Sequence, residues 1–202
     1  MHSVKLTAFR SVAAIAFTGL ALAANAATPT TIDFENPVPG DKTIQGYTII
    51  ADGYKGLQWD NFYTQPAAWN PGTGYETGLV SGTQVGFTGC CEPGSFGIEK
   101  GEFKLLSLNV TASWNNDSIH IFGYIGDKSM YYTKINATTT GPTLLELNWD
   151  HLTKVVFVEN WDNAPIVVED IRILAVPEPE TYAMMLVGLG LVGAVARRRK
   201  LA

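Results

Sequence analysis

Apolar and polar residues alternate with a period of two along most of this chain. Between Lys104 and Trp114, the residues Leu106, Leu108, Val110, Ala112 and Trp114 share one face, and Ser107, Asn109, Thr111 and Ser113 share the other. That pattern predicts a strand with one buried side. Comparable runs cover Thr31 to Glu35, Tyr47 to Ile50, Thr83 to Phe87, Ser118 to Ile125, Met130 to Asn136, Thr143 to Trp149, Thr153 to Glu159 and Ile166 to Leu174, separated by Gly, Pro, Asn and Asp turns. No long apolar stripe of helical period lies between them. Many short strands without intervening helices predict an all-β fold, an antiparallel β-sandwich of the jelly-roll type, with a closed barrel as the alternative.

The alternation stops near both ends. Lys5 and Arg10 precede an apolar stretch from Val12 to Leu22, and Ala24-Asn25-Ala26 supplies the small residues that a signal peptidase requires. A signal peptide over 1–26 follows, with a mature start at Ala27. At the other end, Val176-Pro177-Glu178-Pro179 is extended and accessible, because proline fixes φ and excludes helix. An uncharged, Gly-rich apolar run follows from Tyr182 to Ala196, then Arg197, Arg198, Arg199 and Lys200. Fifteen residues of helix rise roughly 22 Å, short of the ~30 Å hydrocarbon layer. A single short transmembrane helix is expected, held transiently in the inner membrane with its basic end in the cytoplasm. The working part is one β-sandwich domain over 27–176, followed by a sorting segment over 177–202.

The order Pro-Glu-Pro, apolar run, basic cluster resembles the PEP-CTERM sorting signal of Gram-negative bacteria, also catalogued as an ice-binding protein C-terminal domain. The resemblance implies recognition by an exosortase, cleavage near Pro177 to Pro179, and delivery to the cell surface or to an extracellular polysaccharide matrix such as a biofilm.

Charge takes a different meaning once the ends are set aside. The whole chain carries −5, but leaving out Lys5, Arg10, Arg197, Arg198, Arg199, Lys200, Glu178 and Glu180 gives 8 Lys+Arg against 17 Asp+Glu, or −9 for 27–176. An acidic domain has no electrostatic footprint for nucleic acid, and it has carboxylates for hard cations. Its two cysteines, Cys90 and Cys91, are adjacent in a turn-rich run and cannot staple distant strands. They are expected as a vicinal disulfide, as a bridge to another chain, or as two plain thiols.

Aromatic residues crowd one stretch: Tyr54, Trp59, Phe62, Tyr63, Trp69 and Tyr75 fall within 22 residues, among Asn, Gln, Asp and Glu. Flat rings beside amides and carboxylates suit a sugar, whose C–H face stacks and whose hydroxyls need partners. Trp59, Tyr63, Trp69 and Tyr75 are the candidate glycan contacts, and packing inside the sandwich is the other reading of the same residues. In the last strand, alternation places Glu169 with Val167, Ile171 and Ile173 on the core face, where a lone carboxylate would need a partner. First and last strands of a jelly roll are commonly neighbours, so Asp33, Glu35, Glu169 and Asp170 are the candidate ligands of a structural Ca²⁺, with Arg172 as the competing partner.

Asp33-Phe34-Glu35, the Gly53 to Phe62 stretch, Gly141-Pro142-Thr143 and the paired acids of the last strand resemble the jelly-roll domains that precede PEP-CTERM tails. Those domains are similar to galactose-binding-like carbohydrate modules, and the resemblance implies a calcium where the terminal strands meet. Catalytic motifs are missing: there is no Gly-x-Ser-x-Gly, no His-Glu-x-x-His and no phosphate loop. Asp60 with Glu76 is the pair that would serve glycosidic cleavage if the fold brought them together. The expectation is a non-enzymatic surface or matrix protein that binds polysaccharide. The alternatives are a structural or adhesion protein with a protein partner and, behind both, a glycan-cleaving enzyme.

Overall fold

Thirteen strands form among the described residues of the computed structural model, 28–36, 43–44, 46–159, 164–176, 186–190, 193 and 197; nine fall on the alternating runs and four lie outside them. In chain order these are β1 (Thr30–Ile32), β2 (Thr43–Ile44), β3 (Tyr47–Ile49), β4 (Gln58–Asp60), β5 (Phe62–Pro66), β6 (Gln84–Thr88), β7 (Gly94–Gly97), β8 (Glu102–Ala112), β9 (Asp117–Ile125), β10 (Lys128–Ala137), β11 (Thr143–Leu152), β12 (Lys154–Val158) and β13 (Ile166–Val176). One short helix, α1 (Gly74–Thr77), lies between β5 and β6. The predicted signal peptide lies outside the described residues, as does most of the apolar run behind Pro179. Residues 186–190 are helical, and no helix among the described residues is long and apolar enough to cross a membrane.

Two antiparallel sheets face each other, so the fold is a jelly-roll sandwich rather than a closed barrel. The larger runs β11-β8-β13-β6-β5-β3-β2, with β1 also paired to β13, and the smaller runs β10-β9-β12-β7-β4. Leu105, Leu108, Val110, Ile166, Val168, Ile171 and Ile173 of the large sheet meet Trp59, Phe96, Ile119, Ile121, Val155 and Phe157 of the small one in the main core. At roughly 25 cal/mol per Å² of apolar area, this layer is the principal source of stability. The β9–β10 hairpin closes at Gly126, whose φ of 56° suits a tight hairpin turn without steric cost.

The phase of the alternation is not uniform. In β8, Phe103 and Leu105 are buried, then Leu108 and Val110, so Leu105 takes the core position that spacing assigns to Leu106. Register shifts in the neighbouring β11 and β13 accompany the change. A bulge places two residues opposite one, and every side chain beyond it changes face. The same occurs in β13. Ile166 and Val168 belong to the main core, and Val167 belongs to a second apolar cluster on the other face of the large sheet. Asp170 then adopts φ 44°, and Ile171 and Ile173 return to the core. Glu169 is therefore in phase with Val167 but not with Ile171 and Ile173, which corrects the sequence expectation.

The left-handed turn at Asp170 also marks a change of partner. On one side β13 pairs with β8 from Ile166 to Glu169 and again from Arg172 to Val176, whereas on the other it pairs with β6 at Val167 and Val168 and with β1 at Ile171 to Ile173. Glu169 and Asp170 occupy the gap between these two pairings. First and last strands are thus neighbours, with Thr30 opposite Ile173 and Ile32 opposite Ile171.

Candidate functional site

The second apolar cluster lies on the outer face of the large sheet. Tyr63 of β5 stands opposite Phe87 of β6, and Phe87 stands opposite Val167 of β13, which makes one cross-strand row. Phe87 points outward because Gly86 beside it presents no side chain inward; a Cβ there would come within 2.4 Å of the Phe34 ring. Around Phe87 stand Tyr63, stacked at 5.6 Å, Tyr47, edge-on at 5.4 Å, and Tyr75, edge-on at 5.2 Å. Trp114, just beyond β8, packs against Tyr75 at 5.4 Å and is 49% exposed. These rings, with Asn61, Gly89, Cys90 and Pro165, line a groove of about 390 Å³.

Helix α1 holds Tyr75 over the sheet. Thr73 caps it by accepting from the Tyr75 N–H, and Gly74 N–H donates to Ser113 O at 2.8 Å. The approach is close because Gly74 has no side chain, and a Cβ there would sit 1.8 Å from Ala112 O. Both colliding groups are anchored to backbone. Gly74→Ala is therefore expected to cost about 1–3 kcal/mol and to lift Tyr75 off Phe87. A lower urea midpoint checks the first effect, and increased acrylamide quenching of tryptophan fluorescence below that midpoint checks the second. Burial pushes the Tyr75 hydroxyl well above the usual phenol range, with Tyr47 adding to the rise, so it stays a neutral hydrogen-bonding group.

Of the four predicted glycan contacts, Tyr63 and Tyr75 stand in this groove. Trp59 does not; it is 7% exposed, touches Phe34, Phe62 and Phe96, and donates its indole N–H to Tyr54 O at 3.0 Å. Trp69 is exposed, beside Gly46, and is not among the residues lining the groove. Tyr47, Phe87 and Trp114 lie outside the stretch that spacing singled out. The signal that identifies Phe87 is its alternation with Val85 around Gly86.

The four predicted metal ligands do not form a cage. Glu35 is engaged elsewhere, accepting from the backbone N–H groups of Thr83 and Gln84. Asp33 pairs with Lys55 Nζ at 3.3 Å, and Asp170 accepts from Ser81 Oγ at 2.6 Å. Arg172 is exposed and is not paired with these acids. Among the described residues, no three His, Cys, Asp or Glu side chains converge on one point at metal distance. Glu169 differs from the rest, being 1% exposed with both carboxylate oxygens buried and without hydrogen-bond geometry. Burial, then the charges of Asp170 and Asp33, push its carboxyl up to about 9, while the backbone of Gly86 and Ser81 pulls the other way.

Asp60 lines a separate polar groove of about 400 Å³ at the small sheet, with Asp52, Gln58, Ser95 and Lys154. Glu76 is on α1 at the opposite sheet and accepts from Gly72 N–H. The two acids therefore do not face a common bond. Cys90 and Cys91 are both exposed free thiols.

No curated protein matches the chain in sequence. Among solved structures it is similar to the CBM22-1 xylan-binding domain from Paenibacillus barcinonensis Xyn10C, with 15% identity over 77% of this chain and 99% of that one and a TM-score of 0.44. It is also similar to the K1 cleaved adhesin domain of Lys-gingipain from Porphyromonas gingivalis W83, with 12% identity over 74% and 99% and a TM-score of 0.44. A third is TmCBM61 in complex with β-1,4-galactotriose, with 10% identity over 66% and 100% and a TM-score of 0.36. Residues 175–200 match the PEP-CTERM protein-sorting motif. This chain is an all-β sandwich that carries a PEP-CTERM sorting motif, the mark of an exported protein.

Proposed function

We propose that this protein is a non-enzymatic glycan-binding module, exported, processed by an exosortase, and displayed at the cell surface or in the extracellular polysaccharide. The observation that carries the reading is the groove around Phe87. Over a floor of buried Phe87 and Tyr75, the half-buried Tyr47 and Tyr63 and the half-exposed Trp114 offer ring surface to the C–H side of a sugar, and the Tyr47 and Tyr63 hydroxyls and the Asn61 amide offer hydrogen bonds to its edge. The described residues that line it include no carboxylate and no imidazole.

The test is calorimetric titration of the purified protein with xylohexaose, β-1,4-galactotriose and an acidic oligogalacturonate. Trp114→Ala and Tyr63→Ala should each weaken binding roughly tenfold or more, with Tm held nearly in place for the half-exposed Trp114 and lowered for Tyr63, which packs on Phe87. Binding that survives both substitutions overturns the groove as the site. Absence of binding to every probe favours the structural or adhesion alternative, in which the partner is a protein.

We further propose a Ca²⁺ at the seam of β1, β6 and β13. What supports it is the carboxylate pair at the seam: Glu169 is buried there beside Asp170, and Asp33 is close enough to act on Glu169 electrostatically, although Asp33 pairs with Lys55 and Asp170 accepts from Ser81. Glu169 and Asp170 would hold the ion, which would neutralise charge where β13 changes partner.

A further inference from the structure

Cys90 and Cys91 lie in the turn between β6 and β7, which brings Cys90 to the aromatic groove. Cys90 lines it beside Tyr75, Trp114 and Pro165. The two thiols are free, exposed and adjacent in the chain. Cys91 has φ 72°, a left-handed conformation that is unusual outside glycine and asparagine. Asn61 ties both ends of the turn to the groove. Its carbonyl accepts from Gly89 N–H at 2.9 Å, and its side-chain amide donates to Glu92 O at 2.7 Å and to Gly89 O at 3.4 Å. Asn61 itself lines the groove, so a change in this turn reaches the ligand-facing wall through two of its residues.

We propose that Cys90 and Cys91 are a reversible thiol–disulfide site that sets the shape of the groove mouth. The proposal rests on the glycan reading only for its effect on affinity. Adjacent Cα atoms are about 3.8 Å apart, shorter than an ordinary disulfide spans, so the closed ring is strained and easily reduced. Strained, exposed disulfides are the labile and regulatory ones. The oxidant is a small-molecule disulfide such as oxidised glutathione. One cysteine thiolate attacks it, forming a mixed disulfide and releasing one glutathione thiol. The second cysteine then displaces the other, so one S–S bond breaks, one forms, and two protons pass from the protein thiols to the two glutathiones. Closing the ring turns the Cys90 side chain toward Cys91 and fixes the rim. Reduction frees the Cys90 rotamer, and a ligand must then order it on binding. An immobilised side chain of this kind corresponds to about 3- to 10-fold in affinity, in favour of the oxidised form.

The experiment equilibrates the purified protein in glutathione buffers of graded potential, alkylates the remaining thiols, and reads intact mass. The expected result is one transition from two alkylated cysteines to none, with the protein monomeric. Stable glutathione adducts or cross-linked dimers in place of the internal bond overturn the site. Acrylamide quenching of tryptophan fluorescence reads the groove without a ligand. Quenching should differ between the redox states, and the difference should vanish in Trp114→Phe and in the double variant Cys90→Ser/Cys91→Ser. A difference that persists in either, or none in the parent protein, overturns the coupling. Titration with xylohexaose in each state reads the affinity. Equal binding in both states overturns the effect on affinity. A redox-dependent change in quenching without binding in either state leaves the thiol site standing and counts against the glycan reading.

Discussion

Glu169→Gln should remove a downward slope of stability with pH that the parent protein shows in EDTA, and should also abolish the Ca²⁺-dependent rise in Tm. Burial, reinforced by Asp170, lifts the folded-state carboxyl from 4.5 to about 9, while in the unfolded chain it titrates normally. The folded state therefore binds the proton more tightly. Its contribution is complete below about pH 4.5 and is lost progressively as the pH rises toward 9. At about 1.4 kcal/mol per unit, the loss at pH 7 is about 3 kcal/mol, or on the order of 10 °C in Tm for a domain of this size. The other carboxylates are common to both proteins, so the difference curve between parent and Gln variant isolates Glu169. Calcium binds the ionised form, so it should flatten the parent's slope and stabilise more at pH 8 than at pH 5. If the difference curve is flat in EDTA, Glu169 is not a buried neutral acid. If it slopes but calcium changes nothing, the acid stands and the ion does not.

Trp59→Ala should unfold much of the population under conditions in which Trp69→Ala is almost silent. Spacing puts both tryptophans on one aromatic surface, but their surroundings differ. Trp59 is buried among Phe34, Tyr54, Phe62 and Phe96, and its removal leaves a cavity and takes away one of the two donors to the Tyr54 carbonyl, which keeps the Leu57 N–H. Such truncations cost about 3–5 kcal/mol. Trp69 is 53% exposed, and its loss should stay within about 0.5 kcal/mol. Urea midpoints of the two variants decide the matter; equal midpoints would return Trp59 to the surface.

What the sequence conveyed, and where it stopped, follows from the physics of strands. Period two locates strands well, and the neighbourhood of first and last strands follows from jelly-roll topology. Phase is the weak point. A bulge leaves no mark in composition, so Leu106 reads as core when Leu105 holds that place, and Glu169 reads as sharing a face with Ile171 when the left-handed Asp170 separates them. Adjacent aromatics can be divided by alternation, as Phe62 goes inward and Tyr63 outward. Alternation cannot say which residues from other strands meet Tyr63, and that pairing is what brings Tyr47, Phe87 and Trp114 into one groove. Alternation is equally silent on why Glu35 stands apart from the other predicted carboxylates: it has a closer use in holding Thr83 and Gln84.

The position of β13 has a mechanical consequence. Ladder bonds between antiparallel strands run perpendicular to the strand axis, so tension along β13 loads them side by side, in shear. Its pairing with β8 extends from Ile166 to Val176, and β6 and β1 grip its other edge. A pull applied at Val176 meets a broad clamp in which many bonds must rupture together. A pull applied at Thr30 meets only the short pairing of β1 with β13. The sandwich is mechanically polarised, and its tougher end is the one that adjoins the sorting motif.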